Sequence, residues 1–87
     1  MKHKVLKVHP DDNVLVALQD LAKGQEVQYN GNNYILQTDV AAKHKFTTKS
    51  LNPGDPVIMY GVLVGKAIEK IEPGSRISTS NLKHATD

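Results

Sequence analysis

The chain has 87 residues, 39% hydrophobic and 23% charged, with a formal net charge of +2 and no cysteine. That length allows one domain with a modest core; it excludes a disulfide framework or thiolate zinc site, and no apolar run nears the ~20 residues that span a bilayer. Lys and Arg are scattered among nine acids and the aromatic residues are one Phe and three Tyr, so neither a phosphate-backbone footprint nor a base-stacking platform is expected. The N-terminal Met1-Lys2-His3-Lys4 is basic but leads into a short alternating segment, unlike a signal peptide. The expectation is a soluble cytoplasmic protein without a membrane or nucleic-acid partner.

Residues 4–9 read as a first strand, ended by Pro10. Asp11, Asp12 and Asn13 then supply acceptors suited to a helix start, and Leu15 and Leu18 share one face at helical spacing, so residues 14–21 are expected to form a short helix stopped by Gly24. From residue 25 the pattern is β. Residues 26–29 and 33–37 flank Asn30-Gly31-Asn32, a strong hairpin signal. Residues 46–48 lean toward strand, and 57–60 and 62–68 read as strands around Gly61; Gly61 and Gly65 suggest a bulge or a close backbone approach. A turn at Glu72-Pro73-Gly74 leads into residues 76–79, and residues 81–87 read as a loose polar tail. The domain is placed at 1–82, with 83–87 a tail or the start of a linker.

Residues 21–27, 51–57 and 71–77 share one template: an apolar residue, two spacers, Gly, two spacers and an apolar residue. Intervals of 30 and 20 rule out a solenoid of fixed period. The template instead describes a recurrent corner at which Gly permits a sharp turn before a strand re-enters the core.

Two polar clusters carry potential chemistry. Residues 39–46 hold Asp39, Lys43, His44 and Lys45 among small apolar side chains. An imidazole at His44 can transfer protons near neutrality or ligate a metal, and Lys45 can pair with a carboxylate as a point charge. The plainer readings are an exposed loop His and a solvated edge Lys. In the second cluster, His9, Asp11, Asp12 and Asn13 offer ligands for a cation or sugar hydroxyls, against helix capping as the plainer account. His3 and His84 read as incidental, in frayed ends.

The repeated corner is similar to that of SAF domains, which adopt the β-clip fold. Residues 9–14, the Leu-Ala-Lys-Gly24 corner, residues 39–46, the run 60–67 and the closing 76–81 together resemble the N-terminal region of the altronate dehydratase family, in order over almost the whole chain. That family includes altronate and galactarate dehydratases and sulfolactate lyases. It usually carries Gly before the His-Lys pair, where this chain has Lys43. The resemblance implies a mainly β, SAF-like β-clip fold with one short N-terminal helix. It also implies a role as N-terminal domain or small subunit of a hydro-lyase acting on a sugar acid, with His44 catalytic and Lys45, Asp12 and Asn13 binding substrate. A divalent metal, iron or manganese, is implied for the complete enzyme, and a large catalytic domain or subunit is implied as partner; a homo-oligomer is compatible with it. The alternative is a non-enzymatic carbohydrate- or protein-binding SAF module, such as those of sialic-acid synthases and of flagellar or pilus assembly chaperones.

Overall fold

The computed structural model describes residues 4–84. Among them are nine strands and no helix: β1 (Val5–Leu6), β2 (Val14–Ala17), β3 (Glu26–Tyr29), β4 (Asn32–Ile35), β5 (Lys45–Thr47), β6 (Pro56–Met59), β7 (Val62–Ala67), β8 (Arg76–Ile77) and β9 (Leu82–His84). An antiparallel sheet in the order β1-β2-β5-β8 lies between the β3–β4 hairpin and a three-stranded β6-β7-β9 sheet. The mainly β expectation holds; the helix over 14–21 does not. Val14 packs into one core and Leu15 into the other, so β2 is covered on both faces. A strand buried on both faces is a continuous apolar run, and Leu15 in β2 with Leu18 and Leu21 beyond its end imitates a helical stripe. Leu18, the second residue of that stripe, is half exposed.

The central sheet relates two copies of one unit, each a strand, a glycine corner and a hairpin. In the first, Gly24 N–H donates to Leu36 O (2.7 Å), Leu36 N–H donates to Gln25 O (3.0 Å), and Leu21 bridges Val40. Thirty residues on, Gly54 N–H donates to Ala67 O (2.8 Å), Ala67 N–H donates to Asp55 O (2.9 Å), and Leu51 bridges Ile71. The hairpin turns correspond too: Asn30-Gly31 and Tyr60-Gly61 each place both residues at positive φ, as a two-residue type I′ turn requires. The second copy is one residue longer because a β-bulge interrupts β6–β7 after Val57. The register of β2 on β5, with Leu15 opposite Phe46 and Val16 opposite Lys45, is that of a local two-fold axis between them.

Each copy builds its own core. Leu21, Val27, Leu36 and Val40 gather with Leu15 and Phe46; Leu51, Val57, Ala67 and Ile71 gather with Val14, Ile77 and Leu82. The third corner closes the molecule. Gly74 has φ 89 and donates to Thr47 O (2.8 Å), while a Cβ there would collide with the Ile35 carbonyl. Only glycine satisfies both demands.

The expectation of a loose tail from residue 81 is also corrected. Leu82 is a core residue, β9 pairs with β7, and Gly65 lets the Lys83 carbonyl approach where a side chain would clash. His84 therefore sits in a sheet. His3 lies outside the described residues, as do 85–87.

Candidate functional site

A groove of about 350 Å³ is lined by Lys43, His44, Lys45 and His84 with Ser78 and Thr79, over a floor of Met59, Ile77 and Leu82. Its lining contains no acid. The two-fold relation explains its position. The residue matching Leu15, which is fully buried in the first core, is Lys45 in the second. Lys45 lies opposite Ile77 and Val16, on the face of the sheet that the second core covers. Where the first unit fills its core with a leucine, the second has a cation whose head must reach water, and the packing stays open.

The loop before β5 is pinned at every step. Ala42 N–H donates to Asp20 Oδ1 (2.9 Å), Lys43 N–H to Ala17 O (2.7 Å) and His44 N–H to Ala41 O (3.0 Å), while His44 O accepts from Ala17 N–H (2.8 Å). Lys43 has φ 75, in the left-handed region that favours glycine. The backbone thus keeps the shape that a glycine would adopt freely, and a second lysine is added beside His44. The Lys45 ammonium lies 6.0 Å from the centre of the Tyr60 ring. Across the groove, buried Asn81 holds the 76–81 segment: its Oδ1 accepts from Ser78 N–H (2.9 Å) and its Nδ2 donates to Arg76 O (2.9 Å). That segment presents Ser78 and Thr79.

Asp12 and Asn13 are buried and do not line this groove. Asp12 Oδ1 accepts from Gly61 N–H (2.8 Å) at the tip of the β6–β7 hairpin, and Oδ2 accepts from His9 N–H (3.1 Å). Burial alone would raise its pKa, but the backbone donors of Gly61, Tyr60 and His9, with the His9 imidazole nearby, prevail and hold the carboxyl below its ordinary value. Asn13 Nδ2 donates to Pro56 O (2.9 Å) and its Oδ1 accepts from Ile58 N–H (2.9 Å). Both side chains thus clasp the second hairpin against β2. The His9 ring also lies against Gly61, where a Cβ would overlap it.

Proximity in sequence brought His44 and Lys45 to notice. Met59, Ser78, Thr79 and His84 join them only through the pairing of β5 with β8 and of β7 with β9, which leaves no mark on local sequence. A second, wider hollow of about 440 Å³ contains Asp20 and Asp39, whose carboxylates accept from Ala42 N–H and Lys23 N–H. Its charge is wrong for an anionic ligand. Among the described residues, no three His, Asp or Glu side chains come together as metal ligands, so the described residues do not by themselves fit a divalent cation. Nor is any helix of the described residues long and apolar enough to cross a membrane. The groove can attract an anion, offer it hydroxyl partners and place an imidazole beside it.

Residues 3–85 match the model of the altronate/galactarate dehydratase SAF domain. The chain is 40% identical over 78 residues to altronate dehydratase of Escherichia coli (strain K12) and 33% identical over 78 residues to altronate dehydratase of Bacillus subtilis (strain 168). Each alignment covers 90% of this chain and 16% of the relative, so the chain spans only a small part of the curated proteins it resembles. The bent double hairpin, its glycine corners and the match over nearly its whole length agree: the chain belongs to the altronate/galactarate dehydratase SAF domain family.

Proposed function

We propose that this chain serves as the N-terminal domain or small subunit of a sugar-acid dehydratase acting on altronate, in hexuronate catabolism in the cytoplasm. In this reading it helps bind substrate and closes the active site of a catalytic portion lying outside the chain. The observation that carries the reading is the acid-free groove that sets His44 and Lys45 beside two hydroxyl side chains. A polyhydroxy carboxylate needs a cation for its carboxylate and hydroxyl partners for its chain.

Dehydration removes a proton from the carbon next to the carboxylate, taken up by a base of the catalytic portion, and hydroxide from the neighbouring carbon; the enol left behind tautomerises to a 2-keto-3-deoxy acid. Lys45 holds the carboxylate and so favours the negative charge that develops on it as the proton leaves. His44 acts as an acid–base group, donating the proton with which the departing hydroxyl leaves as water. Ser78 and Thr79 orient the sugar hydroxyls. Asp12 and Asn13 enter as positioning residues that hold the hairpin carrying Met59 and Tyr60. The iron or manganese implied by the family is assigned to the catalytic portion, and no step of this chain runs through it.

The test is reconstitution: the catalytic portion is assayed for water loss from altronate with and without this chain. Activity should require the chain and fall on the order of a hundredfold with His44→Ala. Activity indifferent to the chain would favour a non-enzymatic binding module.

A further inference from the structure

We infer that the tip of the β6–β7 hairpin docks this domain onto the catalytic portion of its enzyme, inserting Tyr60, Val62 and Leu63 into an apolar cleft there. The proposal rests on the functional reading above for the identity of the partner.

The duplicated fold supplies its own control. The first hairpin has the same turn and the same ladder, and it ends in Gln28, Asn30, Asn32 and Asn33, with burial alternating along β3. At the corresponding places the second hairpin carries Ile58, Tyr60, Val62 and Leu63. Tyr60, Val62 and Leu63 are 52%, 59% and 45% exposed, and nothing in the architecture demands them, since the first hairpin folds with asparagines there.

The placement of these side chains indicates the mode of docking. Leu63 lies opposite Ile58 on one face of the ribbon, and Val62 lies opposite Met59 on the other. A strand pair with one face to solvent alternates apolar and polar residues; one covered on both faces is apolar throughout. The tip therefore fits insertion into a cleft better than a flat contact. Tyr60 supports this with its backbone. It has φ 57 at the turn position that Asn30 fills in the first hairpin, so a large aromatic residue is kept where asparagine is favoured.

Two observations select the occupant. The curated relatives extend far beyond the 16% that this chain spans, so the bulk of such an enzyme lies outside this domain. The hairpin is also continuous with the groove: Met59 lines it, and the Lys45 ammonium lies over Tyr60. A partner that covers the hairpin tip therefore also covers the groove. The Asp12 carboxylate bonded to Gly61 N–H holds the tip in place for such insertion.

The experiment measures binding of this chain to the catalytic portion by titration calorimetry, with dehydratase activity measured in parallel. Val62→Asn/Leu63→Asn copies the first hairpin and should retain the wild-type melting transition, while affinity falls about tenfold or more. Ile35→Asn, which removes an exposed apolar side chain from the first hairpin, should leave affinity unchanged. Unchanged affinity in the double variant would overturn the proposal. So would a self-associating chain that the double variant converts to a monomer without loss of affinity for the catalytic portion. The two readings fail separately. A hairpin-dependent complex inactive on altronate would refute the assigned substrate but sustain the docking surface. An active complex indifferent to the double variant would do the reverse.

Discussion

The two halves of this domain share a backbone and differ in what they do with it. The first half closes its core with Leu15 and Phe46, covers it with Tyr29 and Tyr34, and ends in a polar turn. The second sets Lys45 at the Leu15 position and an apolar, aromatic tip on its hairpin, with the clasp of Asp12 and Asn13 beneath. A duplicated unit thus gives one closed half and one open half within 87 residues. One copy serves as scaffold, and the groove opens where the other departs from it.

Restoring the scaffold residue breaks the comparison most severely. Lys45→Leu should let the second core close over the groove, raising stability by about 1 kcal/mol through added apolar burial. In the reconstituted enzyme it should lower kcat/KM about a hundredfold, because the cation proposed for the substrate carboxylate is lost. Denaturant titration and steady-state kinetics on the same protein check both signs.

Releasing the clasp has the next largest effect. Asp12→Asn places an amide against a backbone donor in a buried site and should cost about 1–3 kcal/mol. The contribution depends on pH in a defined sense. Because the folded-state pKa lies below the ordinary 3.8, the carboxylate stabilises the fold above that value, and this stabilisation is lost as pH falls through the depressed folded pKa. Melting curves should therefore show the gap between wild type and Asp12→Asn narrowing below pH 3.8, as wild type loses its advantage.

The smallest change sharpens the contrast. Tyr60→Asn gives the second turn the sequence of the first and relieves a left-handed tyrosine, so thermal stability should hold or rise by up to about 0.5 kcal/mol. Affinity for the catalytic portion should nonetheless fall in the same protein. A residue that costs stability and supports binding belongs to an interface.

Much of this organisation is legible in the residues alone. Asn30-Gly31 announces the first hairpin, and the three glycine corners stand out as one spaced template. The duplication itself is hidden, because the copies share only Leu21 and Leu51, Gly24 and Gly54, Val27 and Val57, and Gly31 and Gly61, while the polar tip of one is the apolar tip of the other. The first half of the helix expected over 14–21 is strand β2, covered on both faces, which periodicity alone cannot distinguish from a helix. Asp12 and Asn13 stand out as a polar pair, but their partners at Gly61, Pro56 and Ile58 are more than forty residues away. His84 joins the groove only because Leu82 anchors β9 on β7.

The proposed chemistry in the groove and the proposed docking at the hairpin tip would form a division of labour within one small domain. The direct test titrates this chain into a fixed amount of catalytic portion and follows altronate dehydration. His44→Ala should saturate at the wild-type concentration but reach a plateau about a hundredfold lower. Val62→Asn/Leu63→Asn should need a higher concentration to saturate and then approach the wild-type plateau. If both variants lower the plateau alone, or shift the midpoint alone, groove and hairpin are not separate devices and the division of labour is contradicted.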